Sequence, residues 1–107
     1  AHVNNSLVSL GCEVDGTVIN SVLSSNVVIE EGAEVIDSIL MAGCVVKSGA
    51  KVSYSIVDEN TVIEGGAVVG GEKDNGDGIA VLGRNIVIGS GATVAAGQIL
   101  DKDYRGE

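Results

Sequence analysis

Aliphatic residues return every 17 positions through the middle of the chain. Residues 22–38 (VLSSNVVIEEGAEVIDS) and 39–55 (ILMAGCVVKSGAKVSYS) are each 17 residues long, and residues 56–71 (IVDENTVIEGGAVVGG) continue the same register. Three of the shared columns are Ile29, Val46 and Ile63; Ala33, Ala50 and Ala67; and Val35, Val52 and Val69. A repeat this short cannot bury its own apolar face, so successive copies must stack on one another.

Within each repeat the apolar positions lie about six residues apart, as from Ile29 to Val35. Three such steps, each a short strand followed by a turn with Gly, Asn or Asp, make one turn of a triangular parallel β-helix. The pattern therefore predicts an all-β fold of hexapeptide-like repeats with about five coils. A β-sandwich or barrel is the alternative, but hairpins would not require one residue type to return every 17 positions.

Three segments depart from the period. Residues 7–21 (LVSLGCEVDGTVINS) align with residues 22–38 only if two positions are dropped near Asp15, which places Cys12 over Val27. This alignment also forms a column of serines at one corner: Ser6, Ser21, Ser38 and Ser55. The polar residues 71–78 (GEKDNGDG) stretch the next repeat to 25 residues, which predicts a loop insertion, and the charged residues 101–107 are expected to fray.

Composition agrees with a narrow coil. Only 2% of the 107 residues are aromatic and 16 are glycine, as expected of a slim prism that bends at every corner. The length is that of one domain, residues 1–107. The chain begins at Ala1 in the middle of the coil pattern, so we expect it to be a fragment of a longer protein.

The formal net charge is −9, which argues against nucleic acid or an anionic membrane surface as a partner. A solvated acidic exterior is the simplest interpretation of the charge. No segment approaches the roughly 18 consecutive apolar residues of a membrane span, and no signal peptide is recognisable. A cytoplasmic location is therefore expected.

The two cysteines occupy one column. Cys12 and Cys44 are separated by Val27, so they lie two coils, or about 9 to 10 Å, apart at the usual strand spacing. A disulfide requires Cα atoms within roughly 7 Å, so both thiols are predicted to be free and buried, as suits a reducing cytoplasm. Together with His2, the single histidine, they fit no zinc-ligand spacing.

The run from residue 16 to 46 (GTVINSVLSSNVVIEEGAEVIDSILMAGCVV), with residues 6–14 before it and 80–94 (AVLGRNIVIGSGATV) after it, resembles the C-terminal domain of bacterial glucose-1-phosphate adenylyltransferases, the ADP-glucose pyrophosphorylases of glycogen synthesis. The shortened first coil, the DSILM step at 37–41 and the AVLGRN segment carry the resemblance. It implies a left-handed coil, an exception to the general preference for right-handed crossovers.

The resemblance also implies that catalysis belongs to a different domain of the parent protein. ATP, glucose 1-phosphate and Mg²⁺ would be bound by an N-terminal nucleotidyltransferase domain that these residues do not include, so this chain alone is expected to hold no catalytic, cofactor or metal residues. Its implied partners are its own catalytic domain, further copies in a homo-oligomer, and small anionic effectors.

An anionic effector would need cations, and the candidates are Lys47, Lys51 and Arg84. The alternative is that these are solvated charges balancing the acidic residues one coil away.

Two other functions stay open. A hexapeptide-repeat acyltransferase would use a histidine as general base, for which the chain offers only His2 outside the repeat. A non-catalytic, pyrophosphorylase-like regulatory subunit would look the same in this region.

Overall fold

A computed structural model describes residues 1–106. It contains a single 3₁₀ helix, Lys73–Asn75, and 17 short strands. The strands are β1 (His2–Asn4), β2 (Leu7–Val8), β3 (Glu13–Val14), β4 (Thr17–Ile19), β5 (Val22–Leu23), β6 (Val28–Ile29), β7 (Glu34–Ile36), β8 (Ile39–Leu40), β9 (Val45–Val46), β10 (Lys51–Ser53), β11 (Ser55–Val57), β12 (Val62–Ile63), β13 (Val68–Val69), β14 (Ala80–Leu82), β15 (Val87–Ile88), β16 (Thr93–Val94) and β17 (Ile99–Leu100).

Every third strand belongs to the same sheet. Sheet 1 runs β1-β4-β7-β10-β13-β16, sheet 2 runs β2-β5-β8-β11-β14-β17, and sheet 3 runs β3-β6-β9-β12-β15. All the strand pairs are parallel, so the β-sandwich alternative, which needs antiparallel hairpins, is wrong. The chain forms a three-sided parallel β-helix of about six turns, and this fold is consistent with the left-handed coil that the resemblance implies.

The residue register confirms the columns that the period predicts. Val35 pairs with Val52, and Val52 pairs with Val69. The shortened first turn is also aligned as predicted, because Val14 lies over Ile29 and backbone bonds place Cys12 over Val27. The repeat length therefore determines which residues stack on each other.

One inward column from each sheet builds the core. Val35, Ile29 and Leu40 represent the three columns, and each is completely buried. The small residues Ala33 and Ala50 are buried at a corner, where the chain bends and a larger side chain would not fit. Since each buried aliphatic side chain contributes about 1.5 to 3 kcal/mol, the stacked columns supply the apolar stabilisation that a single repeat lacks.

The serine column forms a continuous hydrogen-bonded ladder at the corner between sheets 1 and 2. The Ser21 amide donates to the Ser6 hydroxyl at 3.0 Å, the Ser38 amide to Ser21 at 3.1 Å, and the Ser55 amide to Ser38 at 3.2 Å. Each of these hydroxyls donates in turn to the carbonyl two residues earlier. The ladder satisfies polar groups that the corner would otherwise bury unpaired.

A short corner explains why the first turn lacks two residues. Val14 and Val18 stack on Ile29 and Val35 although Val18 follows Val14 by only four positions, against six from Ile29 to Val35. Gly16 crosses this corner, where a Cβ atom would lie 2.5 Å from the Ala33 carbonyl oxygen and 2.6 Å from that of Glu30. Only glycine allows the backbone to pass so close.

The expectation that residues 101–107 fray is wrong for the residues that the structure describes, 101–106. Tyr104 forms a parallel bridge to Ile88, donates its amide to the Val87 carbonyl at 3.0 Å and accepts the Gly89 amide at 2.7 Å. The Asp103 carboxylate accepts the Val87 amide at 2.8 Å. These bonds satisfy backbone groups of β15, the last strand of sheet 3, so the segment closes the sixth turn.

The fold predicts opposite results for two valines on neighbouring strands of sheet 1. Val52 is completely buried, whereas Val68 on β13 points outward and is 39% exposed. Val52→Asp should lower the free energy of unfolding by more than about 4 kcal/mol, because the carboxylate would be buried without a partner. Val68→Asp should cost about 1 kcal/mol or less. Chemical denaturation measures both, and equal midpoints would contradict the assignment of inward and outward columns.

Candidate functional site

The structure does not bring the three candidate effector residues together. Lys47 and Lys51 lie on either side of the corner between sheets 3 and 1, because Lys47 follows β9 and Lys51 begins β10. Arg84 follows β14, at the corner between sheets 2 and 3. An anion held by the two lysines would therefore be bound without Arg84.

Acidic residues surround both lysines. Glu30 and Glu64 occupy the positions one turn above and one turn below Lys47, as the backbone hydrogen bonds show. Lys51 stands directly opposite Glu34 in the pairing of β7 and β10. The lysine corner is therefore a mixed-charge surface rather than a basic patch. The neighbouring carboxylates weaken its electrostatic attraction for an anion.

Arg105 introduces a further cation at the same corner. Its guanidinium lies 4.0 Å from the Glu64 carboxylate, with 61% of the arginine side chain exposed. An ion pair this exposed contributes little to stability. It does engage one of the two carboxylates that flank Lys47, an ion pair that the expected fraying of residues 101–107 does not predict.

The loop between β13 and β14 borders a groove that the sequence analysis did not identify. Its 3₁₀ helix, Lys73–Asn75, lies beside the serine corner. The groove has a volume of about 480 Å³. Its lining residues are Asn20, Ile36, Asp37, Ser53, Gly71, Glu72, Lys73 and Asp74. Three carboxylates face one lysine there, so this groove does not suit a strongly anionic effector.

Tyr54 is a backbone exception next to this loop. The residue before each serine of the ladder has a left-handed backbone, with φ between 44° and 53°. Asn5, Asn20 and Asp37 tolerate this conformation, but Tyr54, at φ 44°, is a residue type for which it is uncommon. The stacking of turns above and below determines the backbone here, because the Tyr54 amide donates to Ile36 and its carbonyl accepts from Ala80.

The cysteine column is confirmed as a pair of free thiols, but only one is fully buried. Cys44 is inaccessible and donates to the Asp58 carbonyl at 2.9 Å, whereas Cys12 is half-buried and donates to the Ser24 carbonyl at 3.0 Å. Burial raises the pKa of the Cys44 thiol above its ordinary value of 9.0. Thr61 occupies the same column one turn later and donates to Gly83 in the same way.

The outer faces of the three sheets differ in character. Sheet 1 is mixed, with Thr17, Glu34 and Lys51 in one outward column. Sheet 2 carries an outward column that we call the aliphatic stripe: Leu7, Val22, Ile39, Ile56, Val81 and Ile99. The outward column of sheet 3 begins with the exposed Glu13 and continues with four half-buried valines: Val28, Val45, Val62 and Val87. Sheet 2 is therefore apolar outside as well as inside, and sheet 3 is so from its second strand onward.

The remaining candidate chemistry is sparse in residues 1–106. In this part of the chain no three His, Cys, Asp or Glu residues are grouped as a metal site would require. His2 lies exposed on β1, opposite Thr17, so the expectation that it falls outside the repeat is wrong. No described helix is both long and apolar enough to cross a membrane.

The comparisons with known proteins give one family. Residues 1–79 match the model of a family described as GlmU-like, C-terminal hexapeptide. The match runs from β1 through β13 and the loop that follows it. No solved structure matches the chain significantly.

The cysteine column predicts unequal thiol reactivity. The thiolate is the reactive species, so Cys44, buried and with a raised pKa, should be alkylated far more slowly than Cys12 in the folded chain. Both should react at similar rates in denaturant. Mass spectrometry after timed iodoacetamide treatment would measure the two rates, and faster labelling of Cys44 would contradict the packing of this corner.

The same pKa shift predicts a pH dependence of stability. Because the thiol of Cys44 has a higher pKa in the folded than in the unfolded chain, the folded state binds more protons above the ordinary value of 9.0, and stability falls as pH rises further. Cys44→Thr should lack this loss, since a threonine occupies the same column in the next turn. Denaturation of both proteins between pH 7 and about 10.5 would reveal the difference; parallel pH profiles would refute it.

Proposed function

Because the chain belongs to the GlmU-like C-terminal hexapeptide family, we propose that it is the β-helix domain of a nucleotidyltransferase, and specifically of a glucose-1-phosphate adenylyltransferase. That enzyme forms ADP-glucose and pyrophosphate from ATP and glucose 1-phosphate. In this proposal the β-helix joins subunits and transmits regulation. Catalysis, and the Mg²⁺ it requires, belong to an N-terminal domain. The DSILM and AVLGRN segments at 37–41 and 80–85 support the specific assignment.

The observation that carries the assembly role is the apolar exterior of sheets 2 and 3. Ile39 is 40% exposed and Leu7 is 70% exposed on the outer face of sheet 2. The net charge of −9 favours solubility, whereas exposed aliphatic columns lower it. The columns therefore call for another explanation. Contiguous exposed apolar surface of this kind marks a contact with another protein surface.

The position of the single histidine favours a nucleotidyltransferase-type domain over an acyltransferase. An acyltransferase on this architecture would need a histidine within hydrogen-bond reach of the acceptor's hydroxyl or amine to act as general base. His2 lies in the first turn, on the mixed face of sheet 1, and does not line the groove beside the loop.

A regulatory role is proposed for the lysine corner. Lys47 and Lys51 would contact an anionic effector, and Arg84 would act separately at its own corner. Glu30 bonds to the Ser48 amide at 3.1 Å, which leaves its carboxylate less able to neutralise Lys47. An effector bound there would shift an equilibrium between subunit arrangements rather than touch the reacting atoms.

An activity assay tests the assignment. The protein that contains this β-helix together with its N-terminal domain should release pyrophosphate from ATP, glucose 1-phosphate and Mg²⁺, whereas the 107-residue chain alone should release none. No activity in the longer protein, with restored activity after a second subunit is added, would favour the non-catalytic regulatory subunit. Acetyl transfer from an acyl donor by the chain alone would favour the acyltransferase.

The lysine corner is tested in the same longer protein. The double change Lys47→Ala and Lys51→Ala should leave the rate without effector within about twofold, and should weaken activation by an anionic effector about 10-fold, a coupling change of about 1.4 kcal/mol. Lys102→Ala, an exposed cation that follows β17 outside the lysine corner, is the single-cation control. Steady-state kinetics separates the outcomes: a large loss of the basal rate would instead place the lysines in contact with the catalytic domain, and an unchanged response would return them to the solvated surface.

A further inference from the structure

The strands of sheet 2 carry no charged residue. They contribute only aliphatic side chains, one serine and one alanine: Leu7–Val8, Val22–Leu23, Ile39–Leu40, Ser55–Val57, Ala80–Leu82 and Ile99–Leu100. The outward members form the aliphatic stripe defined above. Its two ends are the most open, with Leu7 70% and Ile99 74% exposed. A side of the prism without charge is unusual in a chain whose net charge is −9.

The stripe reads nearly the same in both directions. From the first turn to the last its residues are Leu, Val, Ile, Ile, Val and Ile. A two-fold axis between the third and fourth turns would therefore place Ile39 against Ile56 of the other copy, Val22 against Val81, and Leu7 against Ile99. An isologous interface needs this self-complementarity, because one patch must fit itself after rotation.

From this symmetry we propose that the aliphatic stripe is the surface through which two copies of the chain associate, with their coils running in opposite directions. The inference rests on the proposed assembly role and assigns it one face and one partner. In this arrangement sheet 3 does not take part in the contact between the two copies.

The charges at the edge that follows the strands of sheet 2 permit this arrangement. The edge that follows the strands carries Asp58 in the fourth turn and Asp101 in the sixth. Reversing the second copy brings Asp58 beside Met41 and Asp101 beside Ser9, so no two carboxylates face each other along that edge. Along that edge, two acidic copies can then meet without carboxylates opposite each other.

The size of the face is also sufficient. Six strands at about 4.8 Å spacing make a stripe about 24 Å long. The whole body measures 33 × 27 × 21 Å, so one side can supply surface of the order of the roughly 800 Å² per partner found in stable interfaces. Aliphatic residues at the centre of such a face would be buried most completely and should dominate its affinity.

The first test is a charge at the centre of the stripe. Analytical ultracentrifugation of the full 107-residue chain should show a dimer, and Ile39→Glu should weaken its association at least about 10-fold. Val68→Glu is the matched control, because Val68 has almost the same exposure on sheet 1, 39% against 40%, and it should leave the dimer intact. Circular dichroism melting would verify that both variants remain folded.

The second test fixes the direction of the partner. Leu7→Glu and Ile99→Lys should each weaken the dimer alone, and an equimolar mixture should recover association, because opposite charges then meet across the reversed contact. Coils running in the same direction would hold these positions about 24 Å apart, and mixing would give no recovery. That result would overturn the reversed arrangement.

The outcomes distinguish this inference from the assembly role on which it rests. A chain that stays dimeric with Ile39→Glu would show that copies join through another face, so the stripe proposal would fail and the assembly role would stand. A wild-type chain that sediments as a monomer at about 100 µM, a concentration well above a specific protein–protein Kd, would reject self-association and remove the support for both.

Discussion

Backbone hydrogen bonding between successive turns is the constraint on which the rest of this structure depends. Each strand pairs in parallel with the strand one turn later, so a residue's neighbours in space are decided by the length of the repeat. Side chains of similar shape must then stack at about 4.8 Å intervals. Three features satisfy this stacking requirement: the buried Val columns, the serine ladder and the small residues at the corners.

Because the constraint acts through repeat length, much of the fold could be predicted from sequence. The 17-residue period gave the correct columns, the free cysteines and the serine corner. The period did not predict the sixth turn, because only three residues lie between Leu100 and Tyr104 and no apolar repeat follows them. The same shortening in the first turn was recognised only because complete repeats followed it. A short corner at the end of the coil has no such reference.

The direction in which each column points could not be predicted in the same way. Val22 and Leu23 are adjacent and both aliphatic, yet Val22 is 37% exposed and Leu23 is completely buried. In two-residue strands with aliphatic residues at both positions, the usual alternation of apolar and polar residues disappears. The sequence pattern alone therefore does not distinguish the outer stripe from the core. Only the backbone pairing separates a column that stabilises the fold from a column available to a partner.

The candidate effector residues show what the periodic pattern could not determine. Lys47 and Lys51 lie at one corner, whereas Arg84, which charge alone groups with them, lies at another corner. The groove beside the loop was missed because its lining combines the inserted Lys73 with Asn20 and Asp37 from earlier turns. An insertion has no column, so sequence register cannot predict which residues it will cover.

The stacking constraint also decides where specific binding chemistry can be built. Six identical charges stacked at 4.8 Å would repel by about 1 kcal/mol per adjacent pair even in water, so a long column can be apolar or hydrogen-bonded but not uniformly charged. At the Lys47 corner the signs alternate from Glu30 through Lys47 to Glu64, which avoids that repulsion and at the same time prevents a basic patch from forming. Uniform columns therefore form broad apolar faces, such as that of sheet 2, on which the proposed association would rest. A unique combination of charges can also be built where a column is interrupted, and in this chain the longest interruption is the loop that carries Lys73.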